Sequence, residues 1–205
     1  MFILSVALTV IAYLLGSLSA AIVVCRLLGL PDPRTAGSRN PGATNVLRLG
    51  GKWPAFLTLA GDLLKGVLPV ALAAHVLHLP AWGLAAVMFA AFLGHLYPLY
   101  FGFVGGKGVA TTLGVVLAMS PPVGLATCLT WLATAAITRY SSLAALVAIG
   151  LTPIYTLLWT RQPALALATL LIAAILTWRH RENIARLRAG TESRIGRKKT
   201  APSTP

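Results

Sequence analysis

Three polar stretches carry most of the side chains able to do chemistry: GSRNPGATNVLR (Gly37–Arg48), GHLYPLYFGFVGGKG (Gly94–Gly108) and RHRENIARL (Arg179–Leu187). In the first, Gly37 and Gly42 let backbone N–H groups turn toward one point and form an anion nest. Ser38, Asn40, Thr44 and Asn45 add neutral hydrogen-bonding groups, and Arg39 and Arg48 add guanidinium forks that suit phosphate. The GxxxxGK[ST] spacing of a nucleotide loop is missing. A polar interhelical turn is the plain alternative.

The second stretch ends in Gly105-Gly106-Lys107-Gly108, just before an apolar run that starts at Val109. A glycine loop that feeds a helix N-terminus offers free N–H donors and partial positive charge, and Lys107 adds a full one. A snorkelling interfacial lysine is the competing explanation. His95 reads as a packing or supporting histidine. In the third stretch, His180 and Asn183 share a face if the last apolar helix continues through them. His180 is suited to proton transfer near neutral pH, and Asn183 to orienting it or holding an oxygen. A basic helix cap accounts for Arg179 and Arg181 but poorly for His180 and Asn183. Ser142, after Arg139 and Ser141, is a substrate donor or part of a helix N-cap.

The elements between these stretches are greasy. The chain has 205 residues, 57% hydrophobic and only 10% charged, with mean hydropathy +0.81. Soluble domains carry about 25% charged residues. Seven apolar segments stand out, near 2–24, 53–74, 82–101, 109–119, 123–138, 143–160 and 164–178. A crossing takes about 20 residues, so 109–119 is short. The expected fold is an all-α, polytopic membrane protein of about seven transmembrane helices. Residues 1–190 form one domain and 191–205 a basic, disordered tail.

The net charge is +13, with four acidic residues against seventeen Lys and Arg. Such a balance in a soluble protein suggests nucleic acid, but here the cations flank apolar runs, so topology explains them first. With seven crossings, the loops at 25–52, 102–108 and 139–142 share one side with the tail. Only Arg161 falls opposite, and Lys65 lies within a span. That bias makes the loop side cytoplasmic and puts the N-terminus outside. All three polar stretches then share a face, as one composite site would require. No Lys or Arg precedes residue 26, which argues against a cleaved signal peptide. Cys25 and Cys128 read as small apolar residues with no disulfide. Asp62 and Lys65, three apart inside a span, read as a mutually neutralising pair.

Together the stretches resemble the bacterial membrane acyl-phosphate:glycerol-3-phosphate acyltransferases, as do DLLKG (Asp62–Gly66) and RYSSL (Arg139–Leu143). The likeness covers nearly the whole chain. It implies a seven-helix enzyme of the bacterial cytoplasmic (inner) membrane. That enzyme moves an acyl group from acyl phosphate to the 1-hydroxyl of glycerol 3-phosphate and yields lysophosphatidic acid, the first acylation of phospholipid synthesis. It implies no cofactor or metal, no nucleic acid, contact with membrane lipid, and functional coupling to a soluble enzyme that makes acyl phosphate. Carried onto this chain, Ser38, His180 and Asn183 form the catalytic cluster. Gly37, Asn40, Gly42, Thr44, Asn45, Arg48, Gly106, Lys107 and Ser142 bind substrate. Arg39 departs from the family, which often has glycine there. Two rival readings are a transporter of a phosphate-bearing solute and a purely structural lipid-binding protein.

Overall fold

A computed structural model describes residues 1–196. Among these residues all regular structure is helical. The first apolar segment is not one helix. It divides into α1 (Phe2–Gly16) and α2 (Ala20–Leu27), with Ser19 in an extended conformation between them. A short amphipathic helix, α3 (Ala43–Gly50), follows in what the sequence suggests is loop, and α4 (Lys52–Ala71) begins directly after Gly51. Then come α5 (Ala81–Leu96), α6 (Val109–Met119), α7 (Pro121–Thr138), α8 (Ser141–Thr160), α9 (Pro163–Arg179) and α10 (Arg181–Arg188).

Each expected apolar segment is therefore helical. Among the described residues five stretches are long and apolar enough to cross a membrane: Phe2–Leu27, Lys52–Val76, Ala81–Phe101, Pro121–Thr138 and Ser141–Thr160. A sixth arises if α9 and α10, bent by 59°, count as one broken span. The 11 residues of α6 reach only about 16 Å at 1.5 Å each, roughly half a hydrocarbon core. Side chains on α7 such as Leu129 (63% exposed) and Ile137 (83% exposed) face outward, as lipid-facing residues do.

Small residues set the packing, because apolar side chains gain little from meeting each other inside lipid. Helix α1 lies against α5, where a Cβ on Gly16 would overlap the Ala91 carbonyl and one on Gly94 the Tyr13 carbonyl. Helix α4 approaches α6 in the same way, through Gly66 and Gly114. One apolar core joins Leu8, Val70, Met88, Val115 and Leu165. A second (Phe92, Leu96, Ile149, Ile172 and Leu176) lies among α5, α8 and α9, beneath the third polar stretch.

The break between α1 and α2 has a visible cost and a visible remedy. Opening a helix in an apolar setting leaves carbonyls without partners. Lys65 on α4 supplies one, with Nζ donating to the Leu18 carbonyl at 2.7 Å. The same Nζ lies 2.8 Å from Asp62 Oδ1, and both side chains are buried. No donor is well aligned with that oxygen, so charge rather than a directed hydrogen bond holds it. The expected internal pair is thus present, and it also carries a backbone break.

Breaking one member of a buried pair typically costs about 3–5 kcal/mol, because the other charge is left uncompensated. Lys65→Met should therefore lower the unfolding temperature in detergent sharply. Asp62→Asn combined with Lys65→Met should recover much of the loss. A Lys65→Met protein as stable as the parent would show that the pair does not hold the fold.

Candidate active site

The first polar stretch is organised from α3. Asn45 is only 1% exposed. Its Oδ1 accepts from the Ser38 N–H at 2.8 Å, and its Nδ2 donates to the Pro33 and Ala36 carbonyls, both at 3.0 Å. The expected substrate ligand Asn45 is thus committed at both ends of its amide to shaping the loop. Gly37 has φ +66°, and a Cβ there would overlap the Asn45 amide oxygen. Arg39 also has positive φ (56°), the region that glycine enters most easily. Ser38 and Thr44 are exposed, and Asn40 and Gly42 are partly so.

The second stretch touches the first. The Gly106 N–H donates to the His95 carbonyl at 3.2 Å. A Cβ on Gly106 would overlap His95 Nε2 and come within 2.7 Å of the Pro41 carbonyl. Only glycine fits there. His95 is buried beside Asp62, with Nδ1 3.6 Å from Asp62 Oδ1 and 3.1 Å from Thr111 Oγ1. It supports the loop from below, as a packing histidine does. Tyr97 lies just past the end of α5.

The third stretch does not continue as one straight helix. It bends at His180, which ends α9 and precedes α10. Both His180 (3% exposed) and Asn183 (8%) nevertheless point inward. His180 Nδ1 lies 2.8 Å from the Leu176 carbonyl. A carbonyl only accepts, so Nδ1 carries the proton and Nε2 keeps its lone pair. Burial first, helped by the charges of Lys107 and Arg179, lowers the imidazole pKa to about 4. His180 is therefore neutral at physiological pH.

Lys107 Nζ donates to Asn183 Oδ1. Burial, with Arg186 and Arg179 close by, lowers its pKa to about 8 despite Glu192 and Glu182. Asn183 Nδ2 in turn donates to Glu192 Oε1 at 2.7 Å. The same oxygen accepts from Ser142 Oγ at 2.7 Å, and Glu192 Oε2 accepts from Arg186 Nε at 2.6 Å. Burial alone would raise the Glu192 carboxyl, but these hydrogen bonds and the Arg186 charge hold it below the usual glutamate range. Next door, Arg48 donates to Ser193 Oγ at 2.6 Å.

Residues 191–196 thus lack regular structure, in keeping with their polar composition, yet they are not a free tail. Their contacts link Arg48, Lys107, Ser142 and Asn183 in one network. Residues 197–205, the rest of the expected disordered tail, lie outside the described residues. Among the described residues no hydrogen bond joins Ser38 to His180 or Asn183, and none joins His180 to Asn183. No group of three His, Cys, Asp or Glu side chains there is placed to hold a metal ion. Sequence reasoning missed Glu192. Its signal was scarcity, as one of four acidic residues in a chain of net charge +13.

A helical membrane fold with a cation-rich, glycine-lined polar end defines a membrane protein built to handle an anion. Comparison with known proteins makes this specific. The glycerol-3-phosphate acyltransferase family model matches residues 6–190. A glycerol-3-phosphate acyltransferase of Halorhodospira halophila is 60% identical over 193 residues, covering 94% of this chain and 98% of its own. One from Thioalkalivibrio sulfidiphilus is 60% identical over 196 residues, covering 95% and 96%. The crystal structure of PlsY, an integral membrane glycerol 3-phosphate acyltransferase, superposes in its glycerol 3-phosphate form with a TM-score of 0.89. Identity is 42%, with 94% of this chain and 96% of that one covered. Its lysophosphatidic acid form gives 0.87 at 40% identity, covering 94% and 95%. The chain belongs to the glycerol-3-phosphate acyltransferase family, and it is a multi-pass membrane enzyme.

Asn45→Asp tests the loop assignment with almost no change of shape. It keeps the acceptor for the Ser38 N–H but places a charged oxygen against the Pro33 and Ala36 carbonyls. Leaving buried carbonyls unpaired costs about 1–3 kcal/mol, more beside a charge. The variant should insert and purify while losing most activity and showing faster proteolysis within 31–42. Full activity with unchanged proteolysis would mean that Asn45 does not shape the loop.

Proposed function

We propose that the protein transfers the acyl group of acyl phosphate to the 1-hydroxyl of glycerol 3-phosphate, releasing lysophosphatidic acid and inorganic phosphate. The observation that carries this reading is the linkage of Lys107, Asn183, Ser142 and Arg48 beside a neutral buried His180. Both substrates bear phosphate, and the site is rich in cations and free N–H groups. In this reading Lys107 and Arg48, with the glycine loop, hold phosphate. Ser38, Asn40, Thr44 and Ser142 line the substrate path, and Gly37 and Gly42 shape it. Asn183 holds Lys107 and a substrate oxygen in register. The acyl chain lies in the apolar groove of about 400 Å³ between α1 and α5, lined by Val10, Tyr13, Phe89 and Leu93.

The glycerol hydroxyl oxygen attacks the acyl carbonyl carbon, forming the ester C–O bond. The carbonyl–phosphate bond breaks and phosphate leaves with its electron pair. The hydroxyl proton passes to His180 Nε2 and then to the leaving phosphate. Burial lowers the basicity of His180, and the negative charge of a bound phosphate opposes that effect. The loops and the C-terminus face the cytoplasm and the N-terminus faces outward. The membrane is the bacterial inner membrane, and a soluble enzyme supplies the acyl phosphate.

Purified protein in detergent should convert acyl phosphate and glycerol 3-phosphate with one phosphate released per acyl group transferred. Equal use of acyl-CoA would overturn the donor assignment. His180→Ala should lower turnover by about 10²–10⁴-fold, the usual contribution of a general base. His180→Asn, which cannot carry the proton, should be similarly slow. Near-normal turnover in His180→Asn would give the proton to phosphate instead.

Lys107 sets a pH limit whose sign follows from its lowered pKa. It is charged below about pH 8 and neutral above. KM for glycerol 3-phosphate should therefore rise as pH climbs through 8. Lys107→Arg should push that rise upward, out of the range where a lysine titrates. The substrate phosphate has its own ionisation near 6, which confines this test to the alkaline side. A KM flat from pH 7 to 9.5 in the parent protein would remove Lys107 from the phosphate site.

A further inference from the structure

Arg179 reads in the sequence as the basic cap of the last apolar helix, and its side chain does something more specific. One guanidinium nitrogen donates to the Gly105 carbonyl at 3.0 Å and to the Gly106 carbonyl at 3.1 Å. The guanidinium also sits over the Tyr97 ring, 5.9 Å from its centroid. Both glycines are buried. A charged donor from the third polar stretch therefore grips the backbone of the second.

The grip matters because a peptide unit is planar and trans, so its C=O and N–H point in opposite directions. In the Gly105–Gly106 unit the carbonyl faces Arg179 and the N–H faces the His95 carbonyl. Both ends are occupied. In the Gly106–Lys107 unit the carbonyl faces Arg179, so the Lys107 N–H points the other way. Neither that N–H nor those of Gly108 and Val109 has an acceptor among the described residues. These three donors stand in sequence at the start of α6. Glycines flip their peptide planes at little cost. A flip of the Gly106–Lys107 unit would turn a carbonyl oxygen toward the phosphate and its N–H away.

We propose that Arg179 is a positioning residue. By holding the Gly105 and Gly106 carbonyls, it keeps the Lys107, Gly108 and Val109 N–H groups presented to the phosphate of glycerol 3-phosphate. The proposal rests on the reading that this loop is the phosphate site. Arg179 itself faces carbonyl oxygens and acts on the substrate through the loop.

Two readouts on Arg179→Met test it. Methionine keeps an apolar stem and removes the donors. Hydrogen–deuterium exchange should speed up in the peptide covering 102–110 and stay unchanged in α7 and α8. KM for glycerol 3-phosphate should rise roughly 10-fold or more, as expected for losing charge-assisted bonds, with a smaller change in kcat. Arg179→Lys, which keeps a charged donor, should recover part of both effects. If Arg179→Met does not purify, Arg179→Lys and Tyr97→Leu carry the same two measurements with smaller changes. Unchanged exchange at 102–110 overturns the clamp whatever the kinetics. Faster exchange with unchanged KM and kcat overturns its role in substrate positioning. The reading of the loop has its own arm: in the parent protein, glycerol 3-phosphate should slow exchange at 102–110. Absence of that protection would sink the phosphate-site reading, while the exchange response of Arg179→Met would still report on the clamp.

Discussion

Asp62 and Lys65 are a buried charge pair inside a helix that otherwise belongs in lipid, and the polar end of the molecule is built outward from them. Dehydrating two charges is expensive, and their attraction offsets the cost only when geometry is good and the remaining groups find partners. Lys65 uses its second contact to hold the Leu18 carbonyl at the break between α1 and α2. Asp62 faces His95, and His95 lies under Gly106. The break in the first span, the position of α5 and the seat of the glycine loop are thus tied to one pair. A continuous first helix would leave Lys65 without that carbonyl, and a smaller side chain at 95 would leave Gly106 without a floor.

Above this floor the problem reverses. The site gathers Arg48, Lys107, Arg179 and Arg186, and like charges repel strongly where water is scarce. Glu192 is the counterweight. Its carboxylate accepts from Ser142, Asn183 and Arg186, and Asn183 passes the connection on to Lys107. A single acidic residue therefore orients two neutral groups and offsets part of the positive field. His180 stays outside that network. Among the described residues its imidazole has one hydrogen bond, to the Leu176 carbonyl, which fixes its tautomer and leaves Nε2 free.

Much of this was legible in the sequence. The apolar runs marked the helices well because lipid demands long uninterrupted stretches, and α6 (Val109–Met119) falls where the run and Ser120-Pro121-Pro122 place it. The pairing of Asp62 with Lys65 followed from spacing alone. The break at Ser17–Ser19 was hidden, since serines that bond back to the preceding turn do not lower hydropathy much, as Ser17 Oγ does with the Tyr13 carbonyl. Helix α3 was hidden among turn residues. The loop-shaping bonds of Asn45 are not visible in composition, because an amide that shapes a loop and one that binds substrate give the same signal. The contacts of Glu192 and Arg179 are hidden for a related reason. Their partners lie far along the chain, and composition near a chain end suggests tail or cap.

In the proposed mechanism the loops bind glycerol 3-phosphate while His180 serves the chemistry. Calorimetric titration of glycerol 3-phosphate into three purified proteins separates the two most directly. The parent and His180→Ala should bind with similar affinity. Lys107→Met should bind about 10- to 150-fold more weakly, the loss of one charge-assisted contact. Equal binding by Lys107→Met, or loss of binding in His180→Ala with Lys107 intact, would contradict this division of roles.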